Sequence, residues 1–158
     1  MERSTEKIYE LGQMKIDQLL NLAGKIGERL SGGETILLYG DLGTGKTTFV
    51  RGLARGLRIE ERLVRSPTFN IINTYPGRLI LVHADLYRLE DRRELLDLDL
   101  EGLGDYNTVM AVEWPEMYRP FVEGPCLIVR LEHWSENERV VSLSSMDVEA
   151  DEILSFLN

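Results

Sequence analysis

At 158 residues, 43% hydrophobic and 28% charged, the chain is long enough to bury a core and is read as one domain over residues 1–158. No apolar run reaches the roughly 18 residues of a membrane helix. The polar start Met1-Glu2-Arg3-Ser4-Thr5-Glu6 lacks the apolar segment of a signal peptide, so nothing points to a membrane or to export. The net charge of −9 splits unevenly, +2 over residues 1–65 and −11 over residues 66–158, which argues against a protein that grips nucleic acid across its whole surface. The lone cysteine, Cys126, has no partner for an internal disulfide; a strand position in a reducing cytoplasm is its simplest reading.

Taken in chain order, residues 7–11 read equally as a short strand or an irregular arm. Ile16, Leu19, Leu20, Ala23, Ile26 and Leu30 then mark one face of an amphipathic helix, ended by Ser31-Gly32-Gly33. Thr35-Ile36-Leu37-Leu38-Tyr39 is a short apolar run of the kind that forms a buried strand. It leads into Gly40-Asp41-Leu42-Gly43-Thr44-Gly45-Lys46-Thr47-Thr48, which fits the P-loop pattern of Gly, four residues, Gly, Lys and Ser or Thr. The glycines let successive backbone N–H groups turn inward around phosphate oxygens. Lys46 adds a mobile charge for the β and γ phosphates, and the Thr47 hydroxyl can bind Mg²⁺. Phe49, Val50, Leu53, Ala54 and Leu57 follow at helical spacing, so strand, glycine loop and helix come in the required order, with the helix N-terminus aimed at the phosphates. Arg51, Arg55 and Arg58 form a basic stripe opposite that apolar face, read as either a solvated surface or a dock for an acidic or RNA partner.

Beyond this helix, Arg65-Ser66-Pro67-Thr68-Phe69 connects to Asn70–Tyr75, a Pro76-Gly77 turn and Leu79–Val82. This is a hairpin, and a tight hairpin makes the sheet mixed. Asp85 follows the apolar run closely, as a metal-shell or water-orienting carboxylate would, or as a cap on the next turn. His83 is read as satisfied by hydrogen bonds, with no ligand set for a transition metal around it. Asp91-Arg92-Arg93-Glu94 is a capping box. Asp99-Leu100-Glu101-Gly102 imitates a GTPase switch but follows no apolar strand, and no Asn-Lys-x-Asp segment is present, which favours ATP over GTP. Thr108–Val112 is a buried strand ending at Glu113, where a Walker B acid belongs beside the metal; an edge salt bridge is the alternative. Trp114 is read as packing near the nucleotide or serving the core. Residues 127–131 and 139–143 are strands, and residues 147–157 an acidic terminal helix.

Four ordered blocks, the loop from Gly40 to Phe49, Ser66-Pro67-Thr68-Phe69, His83 to Leu89 and Glu113-Trp114-Pro115-Glu116, together resemble the TsaE (YjeE) family of bacterial tRNA threonylcarbamoyladenosine biosynthesis proteins. The resemblance covers roughly residues 16–143 and implies a small P-loop fold with an inserted hairpin. The expected fold class is thus α/β, a P-loop NTPase-like three-layer sandwich with a mixed sheet. It also implies an ATPase, weak alone, that works with the TsaD and TsaB proteins. By the family pattern Thr47 and Glu113 associate with Mg²⁺, Thr68 contacts the γ phosphate or water as part of a switch, and Asp85 is the acid of the His-x-Asp pair. The acidic second half makes tRNA contact indirect. No cis arginine finger is evident; Arg65, Arg88 or a partner's arginine would complete the charge stabilisation. Two rival readings share these residues, a small-molecule kinase and a nucleotide-gated binding module without turnover.

Overall fold

A computed structural model describes residues 6–67 and 69–158. Its strands are β1 (Lys7–Lys15), β2 (Thr35–Tyr39), β3 (Ile72–Tyr75), β4 (Ile80–Asp85), β5 (Thr108–Glu113), β6 (Cys126–Ser135) and β7 (Glu138–Ser145). Its helices are α1 (Ile16–Arg29), α2 (Lys46–Gly56), α3 (Arg92–Leu98), α4 (Leu100–Leu103) and α5 (Val148–Ile153). The strands form one sheet in the order β1-β7-β6-β2-β5-β4-β3. The centre, β6-β2-β5-β4, is parallel, and both flanks are antiparallel: β3 on β4, and β7 then β1 on β6.

Parallel strands covered on both faces read as unbroken apolar runs, which is why 35–39 and 108–112 stand out in the sequence. One face packs Ile36, Leu38, Val109 and Val129 against Leu19 and Ile26 of α1, Phe49 and Leu53 of α2, and Ile153 next to them. The other packs Leu37, Val112 and Ile128 against Leu95, Leu100 and Tyr118. The result is the three-layer α/β sandwich of a P-loop-like fold, with a mixed sheet and the antiparallel hairpin β3–β4.

The helices α1 and α2 touch backbone to backbone. A Cβ on Gly27 would stand 2.5 Å from the carbonyl oxygen of Leu53, and one on Gly52 would stand 2.5 Å from Ala23 Cβ and 2.7 Å from the carbonyl oxygen of Leu20. Glycine is therefore a packing requirement at these two positions. The hairpin is tied to the same layer by Arg78, which donates to the carbonyls of Leu30 (2.9 Å) and Gly27 (2.7 Å) and so satisfies the end of α1.

Residues 7–15 form a strand, settling the choice between strand and arm. The terminal helix is shorter than its apolar spacing suggests: α5 stops at Ile153 and a 3₁₀ turn follows at Ser155–Leu157. Arg29 provides the stop, donating to the carbonyls of Ile153 (2.8 Å) and Glu152 (3.2 Å) and to Ser155 Oγ (2.7 Å). Asp99 accepts from the backbone N–H of Gly102 (3.3 Å) and caps α4. Its Asp-x-x-Gly spacing thus has a local structural use.

Candidate nucleotide-binding site

Strand order brings the loop and the acids together. β5 lies directly beside β2, with Leu38 opposite Glu113, and β4 lies beside β5, with Asp85 opposite Glu113. Both acids therefore sit at the carboxyl ends of parallel strands, next to where β2 runs into the loop. Ligands bind at this edge in open α/β sheets. The residues Leu42, Gly45, Lys46, Thr47, Asp85 and Glu113 border a cleft of about 310 Å³ here. A second cleft of about 220 Å³ at the opposite edge is bordered by Glu34, Glu101, Asp105 and Glu123, a charge that repels phosphate.

Gly45 takes φ 102° immediately before α2, a left-handed turn that a side chain would strain, and it swings the chain into the helix so that the first N–H groups face the cleft. Thr44 Oγ1 donates to the Asp41 carbonyl at 2.8 Å and holds the loop closed on itself. Lys46 reaches back across the loop and donates to the carbonyls of Gly40 (2.5 Å) and Asp41 (2.8 Å), with its Nζ 4.3 Å from the centre of the Trp114 ring. Burial pushes the Lys46 ammonium below its ordinary pKa, against the opposing pull of Glu113, Asp85 and Asp41. An anion in the cleft would relieve that cost.

Thr47 Oγ1 donates to Glu113 Oε2 at 3.1 Å, and His83 Nε2 lies 2.5 Å from the same oxygen. Glu113 is buried, and its side chain turns inward to the loop. Asp85 accepts from Ser66 Oγ (3.2 Å) on one oxygen and from the backbone N–H of Tyr87 (3.0 Å) on the other. It thus caps the following turn and faces the cleft at once. Burial raises its pKa above the usual carboxylate value, with the charge of Glu113 adding to the effect and the Tyr87 and Ser66 hydrogen bonds opposing it. A hydroxyl and two carboxylates are hard oxygen donors of the number that Mg²⁺ takes from protein when phosphate and water complete its shell, so the residues fit that ion.

The loop residues Gly40 to Thr48 and the side chains of Lys46, Thr47, Asp85 and Glu113 are therefore assembled at one edge. Thr68 lies outside the described residues. Trp114 takes φ 54° and its ring stands 4.9 Å from Tyr87, which puts it beside Lys46 as well as against the core. Arg88 lies over the Phe69 ring at 5.2 Å. The basic stripe reads differently in three dimensions. Arg51 donates to the Val64 carbonyl (3.1 Å) and Arg55 pairs with Glu61 (2.8 Å). Arg58 falls beyond the end of α2 with φ 61°, because the helix closes at Gly56.

Two residues at the loop escaped the sequence reading. Arg139 on β7 donates to the carbonyls of Thr44 (3.0 Å) and Gly43 (3.2 Å), and His133 Nε2 on β6 lies 3.1 Å from the Leu42 carbonyl. They tie those carbonyls of the loop to β6 and β7, and Arg139 itself borders the cleft. No local pattern marks them, since only the β7-β6-β2 strand order brings them near.

The family model for "Threonylcarbamoyl adenosine biosynthesis protein TsaE" matches residues 14–141. The protein called tRNA threonylcarbamoyladenosine biosynthesis protein TsaE in Nostoc sp. is 39% identical over 161 residues, covering 92% of this chain and 98% of that protein. Its namesake in Aquifex aeolicus is 42% identical, covering 77% and 85%, and that in Bacillus subtilis 40% identical, covering 72% and 71%. Among solved structures, the crystal structure of Bacillus subtilis YdiB matches with a TM-score of 0.70 at 25% identity, covering 99% of this chain and 97% of that one. The match to the family model spans the loop, the hairpin and both strand-end acids, and the chain belongs to the TsaE family of threonylcarbamoyladenosine biosynthesis proteins.

Proposed function

We propose that the chain is a Mg-ATP-binding P-loop ATPase that hydrolyses ATP slowly alone and serves threonylcarbamoyladenosine modification of tRNA with the TsaD and TsaB proteins. The observation that carries this reading is the convergence of Lys46, Thr47 and Glu113 at the mouth of one loop, with the Thr47 hydroxyl donating to Glu113. In this reading the backbone N–H groups of the loop and the start of α2 take the phosphate oxygens, and Lys46 leaves the Gly40 and Asp41 carbonyls to pair with them. Thr47, Glu113 and Asp85 would hold Mg²⁺, which when bound neutralises charge on the β and γ phosphates. Asp85 and Glu113 also orient the attacking water, and Trp114 shields the lysine side of the cleft. Among the described residues the arginine bordering the cleft, Arg139, already donates to loop carbonyls, which supports a charge-completing group supplied by a partner. The acidic second half supports indirect contact with tRNA.

The test is phosphate release from Mg-ATP by the chain alone and then with TsaD, TsaB and tRNA, with Lys46→Ala as control. Slow release that rises with the partners and vanishes in the control is the expected result. Release that never exceeds the Lys46→Ala background, despite nucleotide binding, refutes turnover and leaves the nucleotide-gated module.

A further inference from the structure

His83 is wholly buried on β4, on the face of the strand that also carries Leu81 and Asp85, and its ring touches the site through one contact. Nε2 lies 2.5 Å from Glu113 Oε2, while Nδ1 is buried with no hydrogen-bond partner among the described residues. That asymmetry decides the tautomer. A bare Nε2 at 2.5 Å would set its lone pair against an acceptor-only carboxylate oxygen, whereas a proton there makes the contact a hydrogen bond and leaves Nδ1 as an unshared acceptor. The proton therefore sits on Nε2, and His83 donates to Glu113.

The consequence passes to Thr47. A threonine hydroxyl has one proton to give and two lone pairs to offer. Glu113 receives that proton at 3.1 Å, so the lone pairs of Thr47 are left for the cleft. This holds only while Glu113 remains an acceptor fixed in this rotamer, and the partner that fixes it from behind is His83. We infer that His83 is a positioning residue for cation binding: its Nε2–H pins the Glu113 carboxylate, and through it orients the Thr47 hydroxyl so that oxygen lone pairs face the ion. This inference rests on the Mg-ATP reading above, and it assigns His83 no contact with nucleotide or ion.

The experiment titrates a fluorescent ADP analogue against wild type, His83→Leu and His83→Gln, each in Mg²⁺ and in EDTA. Its readout is the gain in affinity on adding Mg²⁺. The glutamine amide nitrogen can stand where Nε2 stands; leucine fills similar space with no donor. Loss of a partner behind a metal-site residue typically costs about 10–100-fold in metal affinity. The Mg²⁺-dependent gain is expected to shrink by that factor in His83→Leu and to be largely rescued in His83→Gln. The chain has two histidines, so long-range ¹H–¹⁵N spectra of wild type, with His83→Gln to assign the signal, read the tautomer directly. If His83→Leu fails to fold by urea titration, the glutamine variant and the spectra decide. A gain that leucine preserves, or that glutamine loses as fully as leucine does, overturns the inference. So does a proton found on Nδ1. A wild type with no nucleotide affinity in either buffer overturns the ATP-binding reading itself, and the inference falls with it.

Discussion

Gly24 and Gly27 lie one helical turn apart on α1, and alanine at the two positions has opposite consequences. Alanine in a helix interior is favoured over glycine by about 1 kcal/mol. At Gly24 nothing opposes that gain, since the nearest atom to a new Cβ is the Gly52 carbonyl oxygen at 3.7 Å, an ordinary contact. At Gly27 the same Cβ meets the Leu53 oxygen at 2.5 Å, inside the 3.0 Å that Cβ atoms essentially never cross. The obstacle is backbone, so no side chain can rotate away and the helices must part. Overpacking of this kind costs about 1–3 kcal/mol, more than the propensity gain at its upper end. The variants are expected to differ by roughly 1–3 kcal/mol, which for a chain of this size separates their melting temperatures by about 3–10 °C. Urea unfolding followed by circular dichroism checks this through the midpoint at unchanged slope. Because α2 begins at Lys46, Gly27→Ala is also expected to displace the start of that helix and, on the proposed Mg-ATP reading, to weaken nucleotide binding, whereas Gly24→Ala is not. Equal stability of the two variants, or Gly27→Ala above wild type, refutes the reasoning.

Two further outcomes follow from titrating groups. Burial pushes the Cys126 thiol up to about 11, and the residue is 7% exposed, so at pH 8 its reaction with a disulfide reagent is expected to be about 100-fold slower in the folded chain than in urea; equal rates would contradict its position at the start of β6. Asp151 is held below the ordinary carboxylate pKa, chiefly by the Tyr9 hydroxyl at 2.6 Å and then by Ser145 at 2.9 Å and Lys7 at 3.7 Å. A depressed acid stabilises the fold above its unfolded value of 3.8 and loses that contribution as pH falls through the folded value. Asp151→Asn is therefore expected to flatten the acid limb of stability below about pH 4, by under about 1 kcal/mol because the carboxylate is partly solvated; parallel pH curves for variant and wild type would count against this.

Elements with a strong local pattern were legible in the sequence, and contacts made across the sheet were not. The strand–loop–helix around Gly40–Thr48 announces itself because apolar run, glycines and helical period follow one another within a short window. Glu113 and Asp85 are legible as strand-end acids. Their lateral register, with Asp85 opposite Glu113, depends on strand order, which no local spacing records. Arg139 shows the limit most clearly: it donates to Thr44 across 95 positions of chain, through a strand with nothing unusual around it. The apolar stripe of α1 was visible, but the glycines that let its backbone touch α2 carry no hydrophobic signal. The stripe of Arg51, Arg55 and Arg58 was legible as an exposed face, but helical spacing says nothing of where the helix ends or which neighbours take up its charges.

Strand β1 closes one side of the sheet over β7, and this has a consequence for how the molecule behaves in company. An outermost strand offers a row of unpaired backbone groups on which another chain can polymerise. Here the outermost strand carries an irregularity between Glu10 and Gly12 and charged side chains at Lys7, Glu10 and Lys15, all of which discourage such growth. Removal of this strand by proteolysis would uncover β7, whose Val140, Val141 and Leu143 lack those defences. The first strand is thus expected to protect the colloidal behaviour of the protein, so that a chain cleaved after β1 should aggregate faster than the intact one by light scattering.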